Sequence, residues 1–197
     1  MKQPLVQMRG IVKKFPGVVA NDHVDLDLFA GEIHALLGEN GSGKSTIMSV
    51  LAGLYKPDAG EILVDGAPVA FASPRDAIEA GIGMVHQHFK LVEPFTVAQN
   101  IQLSERGGAF LLSDSGIRQE IKAFETRFGL AVDPDAPVWQ LSVGEKQRVE
   151  IVRMLYLGSR VLILDEPTAV LTPQETAELF VNMKKMATAG CAVVFIT

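Results

Sequence analysis

Nine consecutive residues, Gly38-Glu39-Asn40-Gly41-Ser42-Gly43-Lys44-Ser45-Thr46, carry the most legible chemistry in this chain. They follow the largely apolar run Ile33, His34, Ala35, Leu36, Leu37. The spacing is G-x-x-x-x-G-K-S, a glycine-rich turn that leaves a strand and opens a helix. Gly38, Gly41 and Gly43 permit positive φ and close approach, so successive backbone N–H groups can converge on phosphate oxygens. Lys44 brings a cation to the outer phosphates, and Ser45 offers a hydroxyl to Mg²⁺. A helix opening near Gly43 adds the positive end of its dipole. At background glycine frequencies such a match arises by chance roughly once in 100 chains of this length. The pattern predicts a site for a nucleoside triphosphate.

A second group is Val161-Leu162-Ile163-Leu164-Asp165-Glu166. Four apolar residues in succession predict a strand buried on both faces of a parallel sheet. Two carboxylates then fall at its C-terminal end, where α/β sheets hold ligands. Asp165 is suited to Mg²⁺, directly or through water, beside the Ser45 hydroxyl. Glu166 can orient and deprotonate an attacking water. A third group, Leu141-Ser142-Val143-Gly144-Glu145, continues into Lys146-Gln147-Arg148-Val149. Ser142 and Glu145 have the spacing of a capping box at the start of an amphipathic helix. Ser142, Gly144 and the helix start also form a second anion-capable site.

The elements that must position these groups follow from patterning. With 197 residues, 48% hydrophobic and 21% charged, the chain is a globular domain, or one domain with a subdomain. The net charge of −5 and scattered Lys and Arg argue against a nucleic-acid footprint. The single Cys191 lies in an apolar run and reads as a buried thiol of a cytosolic protein. No apolar run approaches the roughly 18 residues of a membrane span, so a membrane role would come through a partner.

Strands are expected at 4–10, 24–30, 32–37, 61–65, 82–85, 160–165 and 191–196. Helices are expected at 44–54, 73–80, 143–157 and 173–188. Val24, Leu26 and Leu28 alternate with Asp25 and Asp27, the pattern of a half-exposed antiparallel sheet. From about 94 to 140 the pattern is helical, broken at Gly107-Gly108 and again at Pro134 and Pro137. Ile117, Ile121, Phe124 and Phe128 show core-facing helical spacing, and Trp139 reads as a packing residue. His86 and His88 flank Gln87, but no neighbouring ligand completes a metal set.

A phosphate loop, a second phosphate-capable helix start and an Asp-Glu strand, in that order, resemble the nucleotide-binding subunit of ABC transporters over essentially the whole chain. Gly38 to Ser45 is similar to that family's Walker A motif, Val161 to Glu166 to its Walker B, and Leu141 to Glu145 to its LSGGQ signature. The resemblance implies an α/β P-loop NTPase fold with a mixed or parallel core sheet. It also implies an N-terminal antiparallel β subdomain and an inserted helical subdomain at about 94–158, within one nucleotide-binding domain over 1–197. It places Gln87 at the Q-loop, approaching Mg²⁺ and coupling to a membrane subunit, and Phe15 on the adenine of ATP. It implies two such domains arranged head to tail, in cis or in trans, with Ser142, Gly144 and Glu145 facing the partner's nucleotide. Transmembrane permease subunits and, indirectly, an extracytoplasmic solute-binding protein would complete the assembly at the cytoplasmic face of the membrane. Pro94-Phe95-Thr96, just past Gln87, would face the membrane subunits.

The sequence departs from the family pattern in three places. Val143 and Glu145 stand where the signature has Gly and Gln, and the capping box gives the Glu145 carboxylate somewhere to turn. Ala169-Val170-Leu171-Thr172 lacks the acid of the D-loop, although Thr172-Pro173-Gln174-Glu175 makes a good helix cap. The family's switch histidine would follow Thr197, so the chain is expected to be a fragment. Gly83 to Phe89 and Ala169 to Glu175 resemble importers of simple sugars and nucleosides, and Arg148-Val149-Glu150 leans toward the guanosine type. In that branch the chain would be the first of two nucleotide-binding halves. Two other readings remain open: a soluble ATPase of the same family acting on ribosomes or DNA, and a binding-only half that has lost hydrolysis.

Overall fold

The computed structural model describes residues 3–104 and 114–197. Gly107 and Gly108 lie outside the described residues. The strands among the described residues form two four-stranded sheets. The antiparallel sheet contains β1 (Val6–Phe15), β2 (Val18–Leu28), β4 (Ala59–Val64) and β5 (Ala67–Val69), in the order β2-β1-β4-β5. The second contains β3 (Ile33–Leu36), β6 (Ile82–Val85), β7 (Val161–Asp165) and β8 (Ala192–Ile196), in the order β3-β8-β7-β6. All its pairings are parallel, which resolves the mixed-or-parallel expectation for the described residues.

The helices are α1 (Lys44–Leu51), α2 (Pro74–Glu79), α3 (Val97–Gln102), α4 (Asp114–Phe128), α5 (Val143–Tyr156) and α6 (Pro173–Thr188). Four of them, α2, α3, α5 and α6, begin with a reciprocal capping box, at Ser73, Thr96, Ser142 and Thr172. Each box satisfies amide groups that the first turn leaves without helical partners. In α2 and α6 a proline in the first turn fixes φ where no N–H is needed.

Strand β7 shows how the layers form. Its side chains alternate between faces. Val161 and Ile163 join a core shared with α1 and the antiparallel sheet, through Met48, Leu51, Met8 and Leu28. Leu162 and Leu164 join a second core with α3 to α6, through Ile101, Ile121, Ile151 and Met183. All four are at most 2% exposed, as their unbroken apolar run requires. The carboxyl end of β7 is thereby fixed from both sides, and the two acids emerge there.

Several expectations need adjusting. Strands β1 and β2 run further than their apolar residues suggest, because Phe15 pairs with Val18 across a tight Pro16-Gly17 hairpin whose residues are exposed. The short β5 was not expected; Pro68 lacks an N–H, which an outer strand tolerates. Trp139 is 62% exposed, so its packing role is overturned: it sits on a single 3₁₀ turn, Val138–Gln140, whose buried residue is Val138. Cys191 is half-buried, and that burial pushes its thiol pKa up.

Candidate active site

The turn from β3 into α1 sets the loop. Gly43 is the N-cap of α1, with φ 86° in the left-handed region. A β-carbon there would collide with the Ala20 carbonyl oxygen and lie 2.7 Å from Asn21 Nδ2. Only glycine meets both the conformation and the space. The residues Asn40 to Thr46 then wrap a cavity of about 210 Å³ whose remaining wall is Glu166. The Lys44 ammonium lies across the loop, donating to the carbonyls of Gly38 at 2.6 Å and Glu39 at 3.0 Å.

The second wall comes from the end of β7. Ser45 Oγ donates to Asp165 Oδ1 at 3.2 Å, joining residues 120 apart in sequence. A hydroxyl and a carboxylate in this arrangement are a hard-oxygen donor pair. They fit a Mg²⁺ ion that takes its other ligands from phosphate and water rather than from a protein cage. No cluster of three or more His, Cys, Asp or Glu is present among the described residues. Glu166 adopts φ 46°, a left-handed conformation that costs a residue with a β-carbon on the order of 1 kcal/mol or more. Its exposed side chain stands at the edge of the loop cavity.

Gln87, exposed just past the end of β6, lines a narrow cleft together with Asp165, Glu166 and Gln147. Beside it, His86 is half-buried, and burial, reinforced by Lys90, holds its pKa below the ordinary imidazole value. Above about pH 6.5 both folded and unfolded chains carry neutral His86. Below that value the unfolded chain takes up the proton first, so stability falls with decreasing pH until the folded imidazole also titrates. Replacement His86→Gln is expected to flatten this acid-side loss, measured as the urea midpoint against pH.

At the start of α5, Ser142 N donates to Glu145 Oε2 at 2.8 Å and Glu145 N donates to Ser142 Oγ at 3.2 Å. The Glu145 carboxylate is thus occupied within its own helix turn, and these bonds hold its pKa below the usual carboxylate range. Gly144 is buried, and a β-carbon there would fall 2.5 Å from Glu175 Oε1. Glu175 itself caps α6 through Thr172, whose backbone N–H holds the carboxyl below its ordinary range. Phe15 lies apart from these groups, at the tip of the β1–β2 hairpin. Its ring meets Tyr55 edge-on at 5.3 Å between centroids, with Lys13 Nζ 5.5 Å from the ring centre.

A profile of the ABC transporter family matches residues 21–169. The chain belongs to the ABC transporter family. It is 50% identical over 191 residues to the guanosine import ATP-binding protein NupO of Bacillus subtilis, which covers 96% of this chain and 38% of that protein. It is 48% identical over 196 residues to the nucleoside import ATP-binding protein NupA of Lactococcus lactis subsp. cremoris, covering 99% and 39%. The chain therefore spans less than half the length of these curated relatives. An ATP-binding cassette of an ABC transporter, solved in its ADP conformation, shares the fold, with a TM-score of 0.87 at 23% identity over 99% of this chain and 81% of that one. A dimeric bacterial ABC transporter cassette gives 0.81 at 26% identity, over 98% and 87%.

Within this ABC domain, four side-chain contacts had no legible sequence signal. Asn21, 6% exposed, donates from Nδ2 to the Gly43 carbonyl at 3.1 Å and so seats the loop on β2. Gln147 reaches Pro167, the residue after Glu166. Glu150 and Arg153 grip Lys90, three residues past Gln87. Each is a polar side chain among other polar residues of its segment, and sequence alone does not say which backbone group it meets.

Proposed function

We propose that the chain is a nucleotide-binding domain that hydrolyses ATP to power solute import, of nucleosides or simple sugars, through a membrane ABC transporter. The observation that carries this reading is the Ser45–Asp165 contact at the mouth of the Gly38–Thr46 loop, with Glu166 on the cavity wall. The likeness to nucleoside and guanosine import ATP-binding proteins supports the solute class.

Phe15 stacks on adenine, and the amides of Gly38 to Thr46 take the phosphates with Lys44 on the outer ones. Ser45, Asp165 and Gln87 would hold Mg²⁺, which when bound neutralises charge developing on the phosphoryl oxygens. Glu166 accepts a proton from the attacking water as the new oxygen–phosphorus bond forms, while the bond to the ADP oxygen breaks in line. Ser142, Gly144 and Glu145 face the nucleotide of a second domain packed head to tail. The Glu145 carboxylate accepts from the Ser142 backbone N–H within its own helix turn, which leaves less of its charge to oppose that phosphate.

The domain spans 1–197, with a helical subdomain at about 94–158 that meets the permease near Phe95, which is 40% exposed. Among the described residues no helix is long and apolar enough to cross a membrane. The domain would sit peripherally at the cytoplasmic face, held by permease subunits, with no nucleic-acid partner. Calorimetric titration with ATP tests the site. Mg²⁺ is expected to tighten binding to the wild type, and Asp165→Asn to lose at least about tenfold of that gain. An equal Mg²⁺ effect in both proteins would remove Asp165 from the metal.

A further inference from the structure

Helix α5 carries three polar side chains at positions 147, 150 and 153, a spacing of three that keeps them on one face. Gln147 and Glu150 are 6% and 3% exposed. Each of the three reaches the backbone of another segment. Gln147 Nε2 donates to the Pro167 carbonyl at 2.8 Å. Glu150 Oε1 accepts from Lys90 N at 2.8 Å, while Arg153 Nη1 donates to the Lys90 carbonyl at 3.0 Å. Glu150 and Arg153 close the clamp through their own ion pair at 3.1 Å.

A buried carboxylate is a costly way to fill a helix face, and an apolar residue of similar size often serves stability equally well. Arg153 Nε is even left buried without a hydrogen-bond partner. What the three groups do supply is position. Both backbone groups of Lys90 are fixed, and so is the carbonyl beside Glu166.

We propose that Gln147, Glu150 and Arg153 are positioning residues, through which α5 sets the segments carrying Gln87 and Glu166 relative to its own start at Ser142. The proposal rests on the roles given above to Gln87 and Glu166. A displacement of α5, such as a second domain's nucleotide at Ser142 would impose, is then transmitted to both segments together.

The test combines amide exchange with kinetics on the whole chain. In Glu150→Ala, exchange at the Lys90 amide is expected to quicken by about tenfold or more, as for an amide released to local opening. The kcat for ATP is expected to fall while KM stays within about twofold, since Lys44 and the loop are untouched. Glu150→Gln keeps an acceptor in place and is expected to restore most of both. Gln147→Met, matched in size, is expected to lower kcat without changing Lys90 exchange. Unchanged Lys90 exchange in Glu150→Ala overturns the clamp, and unchanged kcat in Gln147→Met overturns the positioning role even if Glu150→Ala fails to fold. A wild type that turns over no ATP fails the functional reading instead, and the exchange measurement still decides the clamp.

Discussion

Glu166→Gln is expected to bind ATP with an affinity within about a factor of two of the wild type and to release phosphate roughly a hundred to ten thousand times more slowly, the range a positioned general base contributes. The two side chains match in size, and both carry a β-carbon, so the left-handed bend at φ 46° is equally strained in either protein. Lys44, Ser45 and the loop amides, which hold the phosphates, are unaltered. What is lost is the carboxylate that takes the proton from water. Single-turnover and steady-state phosphate release, beside a binding titration, separate the two effects. Turnover at the wild-type rate would remove Glu166 from the chemistry.

Lys44→Ala acts on the other half of the problem. Its ammonium already lies over the loop, on the carbonyls of Gly38 and Glu39, and needs only to exchange these for phosphate oxygens. A hydrogen bond to a charged group is worth about 1.5–3 kcal/mol, so ATP affinity is expected to fall about 10- to 150-fold. The carbonyls left behind belong to exposed residues and can turn to water. Unfolding in urea is therefore expected to shift by no more than about 0.5 kcal/mol. Calorimetry with ATP and a urea titration of the same preparation check both statements, and unchanged affinity would count against the phosphate-loop reading.

Much of the fold was legible because it obeys short-range rules. The run Val161 to Leu164 could only be a strand covered on both faces, and β7 is that strand. The start of α6 at Pro173 follows from the Thr172 cap and its Glu175. The capping box at Ser142 likewise foretold where the Glu145 carboxylate turns. Trp139 misled, because a large apolar side chain argues for burial only on average, and here the short turn directs Val138 inward instead. At the site, residue type and spacing singled out Gly38 to Thr46, Asp165 and Glu166. They gave no hint of Asn21 beneath Gly43, nor of Glu150 on Lys90. Those contacts join segments far apart in sequence and depend on how the layers pack, which no local pattern encodes.

The most direct measurement is phosphate release from MgATP as a function of protein concentration, with Glu166→Gln run alongside. The expected result is a rate per chain that rises with concentration, as nucleotide becomes shared between two domains, and that disappears in Glu166→Gln. Tight ATP binding without turnover at any concentration, indistinguishable between the two proteins, would contradict a hydrolysing site and leave a domain that only binds nucleotide.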